Sequence, residues 1–219
     1  MKTGFLVAFT VVFYLGCERD TQLLSVDPTI GYKVQGTVTD RIGNPVVGVN
    51  VRVWYDYDLV DRNPAPPKDF TVTDSTKTVS VIVRNRADQV IRTIFSGTLP
   101  PGNRTYDWDM KDAFGNAPPA TTYIVHYLVD GVSQKSYSVM VSGTVVSLTD
   151  VQGQYTIPDD NLPIGFYPVP IYSPDKSVYF GNHRIGPSVR LAFTTTARAK
   201  EVVVNLSKNV VKKVDVTLD

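Results

Sequence analysis

The sequence predicts an all-β protein of two β-sandwiches, the second inserted in the first, behind an N-terminal export signal. The 219 residues include 15 glycines, 15 prolines and 12 tyrosines, and few stretches have helical periodicity. Such a composition is typical of short strands joined by tight turns. Hydrophobic residues alternate with polar ones near both ends of the chain, and the segment between these ends differs in character from both. An interrupted sandwich accounts most simply for this pattern.

The composition also narrows the possible functions. The hydrophobic fraction of 42% is ordinary for a globular protein. The formal net charge is +1, and because nucleic-acid binding needs a basic face, we expect no nucleic-acid partner. The single cysteine excludes an intramolecular disulfide. The sandwiches must therefore be stabilised by their hydrophobic cores.

Residues 1–16 have the features of a signal peptide. Lys2 supplies the positive charge, and the apolar run that follows is shorter than the about 20 residues that span a bilayer. The run ends at Gly16 and Cys17. This junction resembles the signal of bacterial lipoproteins, although Tyr14 replaces the usual leucine. The resemblance implies that Cys17 is acylated and anchors an exported protein to the outer membrane or cell surface. An ordinary secretory signal is the alternative.

The chain after the signal begins with a tether and the first half of a sandwich. Residues 17–31 have no clear periodicity and are predicted to link the lipid to the first strand. Residues 32–57 contain two alternating strands, which we interpret as a hairpin around the turn formers at 40–45. Far downstream, residues 149–158 are predicted to form a turn and a strand that continue the same sandwich.

Two motifs in these halves resemble the carboxypeptidase regulatory-like, or transthyretin-like (prealbumin-like), β-sandwich. The motif G-x-V-x-D-x-x-G-x-P-x-x-G-x-x-V is matched by Gly36, Val38, Asp40, Gly43, Pro45, Gly48 and Val51. The motif T-D-x-x-G-x-Y-x-I is matched by Thr149, Asp150, Gly153, Tyr155 and Ile157. The resemblance implies that residues 32–57 and 147–219 form one sandwich. Residues 173–187 are predicted to be a long loop within it.

The segment between the two motifs is predicted to be a linker and an inserted sandwich. Residues 58–75 include a proline-rich stretch that cannot continue a sheet interior, so they are assigned as linker. Residues 76–141 contain alternating strands, including one at 104–108 and a hairpin around Asp130 and Gly131. We therefore expect this segment to fold around its own core.

The inserted segment resembles the immunoglobulin-like domain of flagellar hook-capping proteins. The motif W-D-x-x-D-x-x-G-x-x-x-P-x-x-x-Y is matched by Trp108, Asp109, Asp112, Gly115, Pro119 and Tyr123. The resemblance implies an immunoglobulin-like sandwich and says little about activity, because function depends on sites rather than folds. On the predicted strand 104–108, Trp108 shares a face with Tyr106. We expect its ring to be a core anchor whose N–H reaches a backbone carbonyl.

No catalytic or cofactor site is predicted. His126 and His183 lie in different modules, and the sequence has neither the ligand spacing of a zinc site nor a G-x-S-x-G motif. The catalytic domain of carboxypeptidases is absent, so peptidase activity is not implied.

Clustered aspartates are weak candidates for a metal site. The first cluster is Asp107, Asp109 and Asp112, and a second is Asp56, Asp58 and Asp61. Carboxylates close in sequence could bind Ca²⁺. Aspartate side chains also cap turns by accepting backbone N–H groups, and this explanation is the stronger one. We therefore predict no metal.

Three aromatic residues, Tyr172, Tyr179 and Phe180, are candidates for a binding surface. Exposed aromatic rings can stack on sugars or anchor a protein partner. Alternatively, they cover the open end of the sandwich. The sequence thus favours a lipid-anchored envelope protein with a structural, adhesive or protein-interaction role, with other envelope proteins as partners. A carbohydrate- or peptide-binding module of a surface complex is the alternative.

Overall fold

The computed structural model describes residues 31–65, 67–173 and 175–219. The predicted signal peptide, Cys17 and most of the predicted tether lie outside these residues. The all-β prediction is confirmed, since the described residues form fifteen strands and one short 3-10 helix at Asp159–Asn161. No helix in this part of the chain has the length and apolar character of a membrane span.

The strands are numbered in chain order. They are β1 (Tyr32–Thr39), β2 (Asn50–Asp61), β3 (Phe70–Val72), β4 (Thr78–Arg84), β5 (Val90–Thr98), β6 (Gly102–Arg104), β7 (Thr121–Val129), β8 (Val132–Val141), β9 (Val145–Leu148), β10 (Gln154–Ile157), β11 (Val169–Tyr172), β12 (Tyr179–Thr194), β13 (Ala199–Asn205), β14 (Val210–Lys213) and β15 (Val216–Thr217).

The outer sandwich is built from both ends of the described chain. In one sheet β1 lies between β10 and β14 and also pairs with β15. The other has the order β11-β12-β2-β9, with β13 also paired to β12. Their inner faces share one core, in which Val34, Ile157, Val53 and Phe193 are fully buried. Strands from both sequence halves therefore close the same core.

The predicted hairpin at 32–57 is wrong, although its turn is present. The Asp40 carboxylate accepts the N–H groups of Ile42 and Asn44, which fixes a tight turn. However, β1 and β2 lie in opposite sheets and are not paired. The partner of β1 is instead β10, with Val34 opposite Ile157. Alternation shows which side chains are buried, but it does not show which strand lies beside them.

Gly36 occupies a position where β1 approaches another strand closely. A Cβ added there would lie 1.9 Å from the carbonyl oxygen of Val214. The same carbonyl accepts a hydrogen bond of 2.7 Å from the Tyr155 hydroxyl. A side chain at Gly36 would displace this backbone, so the glycine of the first motif has a packing role.

The inserted sandwich has its own sheet and its own core. Its sheet has the order β5-β4-β7-β8, and the short β3–β6 pair forms a second layer. Val81, Val125 and Tyr127 are fully buried between them. The hairpin between β7 and β8 turns at Asp130 and Gly131, which both have positive φ, as a tight two-residue hairpin turn requires.

The linker is shorter than the predicted range 58–75. Strand β2 continues to Asp61 because its last residues pair with β12. At the other end, Phe70 and Val72 are buried in the core of the inserted sandwich, so β3 belongs to that module. In the described chain, the irregular connection is confined to residues 62–65 and 67–69, in the proline-rich stretch.

Two further predicted elements differ from the structure. The strand at 104–108 is wrong, because β6 ends at Arg104 and Trp108 lies in the following loop. The long loop at 173–187 is also wrong over most of its length, because β12 begins at Tyr179. Strand β12 contains register shifts near its glycines and Pro187. Such bulges interrupt the alternation of side chains, so the sequence pattern does not indicate a strand there.

Candidate functional site

A groove of about 590 Å³ lies between the two sandwiches. One wall is β8 of the inserted module, and the other is β11 of the outer module. Its lining is mainly apolar and aromatic, with a few charged groups: Lys68, Asp107, Trp108, Tyr137, Met140, Ile171, Tyr172 and Lys176 are among the residues that line it. A concave, mostly apolar surface with a few polar groups is the usual character of a binding site.

Side-chain to backbone hydrogen bonds join the two sandwiches beside this groove. Ser138 on β8 donates to the carbonyl of Pro168 at 2.8 Å. The Asn161 amide donates to the carbonyl of Ala120 at 3.0 Å, and Ala120 is itself buried in the outer core. Thr121 donates to the carbonyl of Asp160. We call this set of contacts the seam; it fixes how the groove walls face each other.

Charged residues at the groove form a compact network. Lys68 Nζ lies 3.1 Å from Asp107 Oδ1, and Lys176 Nζ lies 3.5 Å from Asp107 Oδ2. Lys68 also lies over the rings of Tyr137 and Tyr172, 5.1 and 6.0 Å from their centroids. Cations are attracted to aromatic faces at such distances. The groove thus holds one lysine between an acid and two tyrosines.

The network sets the ionisation of Asp107. Partial burial acts to raise the pKa of this carboxyl, but hydrogen bonds and charge from Lys68 and Lys176 outweigh it, so its pKa lies below the ordinary 3.8. A depressed pKa means that the interaction stabilises the fold above the ordinary pKa. This contribution is lost as the pH falls through the lowered pKa. At neutral pH the Asp107 carboxyl is ionised.

The three predicted aromatic residues fall in two groups. Tyr172 ends β11 and lines the groove, and its ring centroid lies 5.2 Å from that of Tyr179 at the start of β12. The Tyr179 hydroxyl donates to the carbonyl of Asn63 at 2.8 Å. Phe180 does not line the groove and is 49% exposed, because adjacent strand residues point to opposite faces.

The predicted aspartate clusters do not come together as metal sites. Asp109 accepts the N–H of Lys111 and forms an ion pair with Arg92 at 3.1 Å. Asp112 accepts the N–H groups of its own turn, at Phe114 and Asn116. Throughout the described ranges, no group of three or more His, Cys, Asp or Glu side chains is placed to hold a metal ion. Asp61 instead binds Asn182 and Tyr167.

The same type of turn occurs at three places and accounts for the role of the aspartate that begins each one. Asp40, Asp112 and Asp150 each accept the N–H groups of the residues two and four positions later. In each case a glycine stands three positions after the aspartate and has a positive φ. The sequence signal is D-x-x-G, and it occurs in both modules. These aspartates therefore stabilise turns.

Trp108 is a core residue of the inserted sandwich, although it also borders the groove. Its side chain is only 6% exposed, and Nε1 donates to the carbonyl of Lys111 at 2.7 Å. Its ring meets that of Tyr123 edge-on, with centroids 5.0 Å apart. The expected burial and the expected hydrogen bond to a backbone carbonyl are both present.

The two histidines lie in separate surroundings. His126 on β7 contacts the Ser133 hydroxyl at 3.2 Å, and burial, together with the nearby charge of Arg84, lowers its pKa. His183 on β12 contacts the carbonyl of Gly181 and the ring of Tyr57. His126 and Ser133 are therefore close enough to pair as base and nucleophile, but no described carboxylate hydrogen-bonds to either imidazole to orient it, as a catalytic triad requires.

Comparison with known proteins adds one finding. Residues 67–126 match the family model of the FlgD Ig-like domain. The match begins in the linker and ends within β7, so it lies almost entirely in the inserted module. No curated protein and no solved structure matches the chain. The immunoglobulin-like fold of the inserted module is supported by this match. The lipoprotein signal and the carboxypeptidase regulatory-like resemblance stay predictions.

Proposed function

We propose that this chain is a lipid-anchored cell-envelope protein whose role is structural or adhesive and rests on contacts with other envelope proteins. The observation that carries the proposal is the seam. Three side chains of the seam donate hydrogen bonds to backbone carbonyls of the other module, and Arg86 donates to the carbonyl of Asp159 in the same way, so the two sandwiches form one stiff unit. A stiff unit suits a spacer or an adhesive element that must hold its surfaces in a fixed relation.

The match to an immunoglobulin-like domain is compatible with a structural or protein-interaction role. We include no catalytic activity in the proposal, because the two histidines lie in different sheets and no described carboxylate hydrogen-bonds to either ring to orient it as a base. The anchor is Cys17, and several acyl chains would give firm membrane attachment, whereas a single chain gives only marginal binding. The expected location is the outer membrane or the cell surface.

The anchor is tested by the Cys17→Ser variant expressed in a bacterium. We expect this variant to lose acyl labelling and to leave the membrane fraction, because the acylated side chain is gone. Ser25→Ala in the predicted tether is the matched control and should label as wild type does. Soluble wild-type protein would contradict the anchor. Cross-linking on intact cells should give discrete adducts with other envelope proteins, and the absence of any adduct would contradict the interaction role.

A second candidate function is the binding of a carbohydrate or peptide in the groove. The observation that favours it is the ring of Tyr172, which lines the groove with Tyr179 packed against it. We expect saturable binding on a glycan or peptide array to be lost in Tyr172→Ala. Phe180→Ala removes an exposed aromatic ring outside the groove and is the control. Equal binding by both variants would exclude the groove.

A further inference from the structure

One edge of β2 is open over its second half. On one side β2 pairs with β12 from Asn50 to Asp61. On the other side β9 pairs only with residues 50–52. No described strand pairs with this second side over residues 56–61. This stretch, the open edge, is the outer border of its sheet.

The backbone groups of the open edge point away from the sheet. The Val53 carbonyl accepts the N–H of Gly143 at 2.7 Å, and the Tyr55 N–H donates to Ser142 at 3.3 Å. Both contacts lie on the β9 side of β2. The backbone N–H and C=O groups of every second residue in a strand point to the same side. Those of Tyr57 and Leu59 therefore point to the β9 side of β2, as those of Val53 and Tyr55 do.

The strand opposite supports this orientation. Ile185 on β12 lies directly across from Tyr57. However, Ile185 donates its N–H to Phe166 and accepts the N–H of Gly165, both on the far side of β12. Its backbone groups are therefore not bonded to Tyr57. The pair across the ladder is a non-hydrogen-bonded one, which leaves the Tyr57 backbone facing outwards.

Side chains of the open edge are exposed and sort into two faces. Tyr57 and Leu59 are 43% and 47% exposed and share one face. Asp56 and Asp58 are exposed and lie on the other face. Neither aspartate forms an ion pair with another described residue. The edge thus offers an apolar row and an acidic row without an ion pair, although Arg184 lies across the ladder from Asp58.

Three other edge strands carry features that resist strand pairing. Strand β14 ends in Lys212 and Lys213, β8 carries Lys135, and β11 contains Pro170. Lysine and proline are the usual means of protecting a sheet edge. Residues 56–61 contain neither. The open edge therefore lacks these two features, as do the four-residue edge strands β9 and β10; the only charged residues it carries are its aspartates.

We propose that the open edge of β2 receives a strand from another protein by β-sheet addition, and that this strand alternates basic and apolar residues. The inference rests on the proposed protein-interaction role and names its surface. In such complexes the backbone gives affinity and alternate side chains give specificity. Lysine or arginine would face Asp56 and Asp58, and apolar residues would face Tyr57 and Leu59.

The charge pattern selects against a second copy of this chain as the occupant. Two β2 edges paired with each other would bring Asp56 and Asp58 of one copy against the same residues of the other. Like charges directly across a ladder are destabilising, whereas opposite charges are favourable. A basic strand is the complementary partner.

The probe is the peptide acetyl-TVKVKT-amide, titrated into the full-length protein and followed by calorimetry. In antiparallel pairing its valines lie opposite Leu59 and Tyr57 and its lysines opposite Asp58 and Asp56. We expect saturable binding that is lost when both valine amides are N-methylated, because these amides would face Tyr57 and Leu59. The peptide acetyl-TVEVET-amide should bind at least about tenfold more weakly, since its negative charges would lie opposite those of Asp58 and Asp56. Equal binding of the N-methylated peptide would overturn the inference.

Two variants test the protein side. Asp56→Asn combined with Asp58→Asn should weaken peptide binding by about tenfold, as expected for two lost cross-strand charge pairs. Asp88→Asn combined with Asp219→Asn changes the net charge equally, at exposed sites elsewhere, and should bind as wild type does. Equal weakening in both pairs would overturn the inference, because charge alone would then explain binding.

Leu59→Pro removes an outward N–H without breaking a bond to β12, so the variant should keep its circular dichroism and lose peptide binding. Unchanged binding in this variant would also overturn the inference. Sedimentation measures whether the edge pairs with a second copy of this chain. If the wild type were a dimer and Leu59→Pro a monomer, the edge would pair with itself, and a basic partner strand would be contradicted. If the cross-linked adducts with envelope proteins persist in Leu59→Pro, the open edge is not the interaction surface. The proposed protein-interaction role would still stand.

Discussion

Trp108→Ala is expected to lower the free energy of unfolding of the inserted sandwich by about 3–5 kcal/mol, the range for removing a large buried aromatic side chain. The ring is 6% exposed and packs edge-on against Tyr123. Its Nε1 also satisfies the carbonyl of Lys111 at 2.7 Å. The substitution therefore leaves a cavity and an unpaired carbonyl together, and both effects destabilise the folded state.

Urea unfolding followed by fluorescence measures this loss, and Asp109→Ala is the matched control next in sequence. Asp109 caps a turn at Lys111 and is half exposed, so its removal should cost about 1 kcal/mol. The outer sandwich should keep its own melting transition in both variants. Equal stability of Trp108→Ala and wild type would show that the ring contributes no packing energy and would reopen a ligand-binding role for it.

The burial of Trp108 could be predicted from sequence, but its position could not. The parity argument assumed that residues 104–108 form a strand, whereas β6 ends at Arg104. The ring reaches the core because the loop brings the Lys111 carbonyl under its N–H. A large aromatic next to turn formers predicts burial on chemical grounds, while the path of a loop depends on contacts distant in sequence.

In the outer sandwich too, the burial of side chains could be predicted from sequence, but the arrangement of the strands could not. The alternating strands predicted within residues 32–57 include Val34, Val38, Val51 and Val53, and all four are fully buried, whereas Val47 of the same run is 57% exposed. Alternation did not show that β1 and β2 belong to opposite sheets, because a crossing connection and a hairpin can share the same turn residues. The first part of strand β12 is predicted to be a loop because glycines lie near its register shifts, and glycines in a sequence suggest a loop.

The candidate sites follow from contacts that no local pattern contains. The pairing of Tyr172 with Tyr179 could be anticipated as an aromatic cluster, but Lys68, thirty-nine positions from Asp107, could not be placed beside it. The open edge of β2 also could not be predicted from sequence, because alternating residues do not show whether a strand has a neighbour on each side. What leaves the edge open is the short length of β9, which ends the ladder after Arg52.

Phe193→Ala is expected to destabilise the outer sandwich by about 3–5 kcal/mol, again the range for a large buried aromatic. Phe193 on β12 is fully buried. Its ring meets that of Tyr155 on β10 edge-on, with centroids 5.2 Å apart. These two strands belong to opposite sheets, so the ring pair joins the two layers. Phe180→Ala on the same strand is the control, because an exposed ring should cost within about 0.5 kcal/mol.

Calorimetry on Phe193→Ala and Trp108→Ala together tests whether the two cores are separate. Phe193 belongs to the outer core and Trp108 to the inserted core, with no buried residue shared between them. Each variant should therefore lower its own transition, and the double variant should lower both additively, as distant sites usually do. The seam holds the orientation of the two modules by polar contacts, and Ala120 packs in the outer core, so a small coupling should add to these separate effects. A single transition that both variants lower equally would show one cooperative unit and would contradict a separately folding insertion.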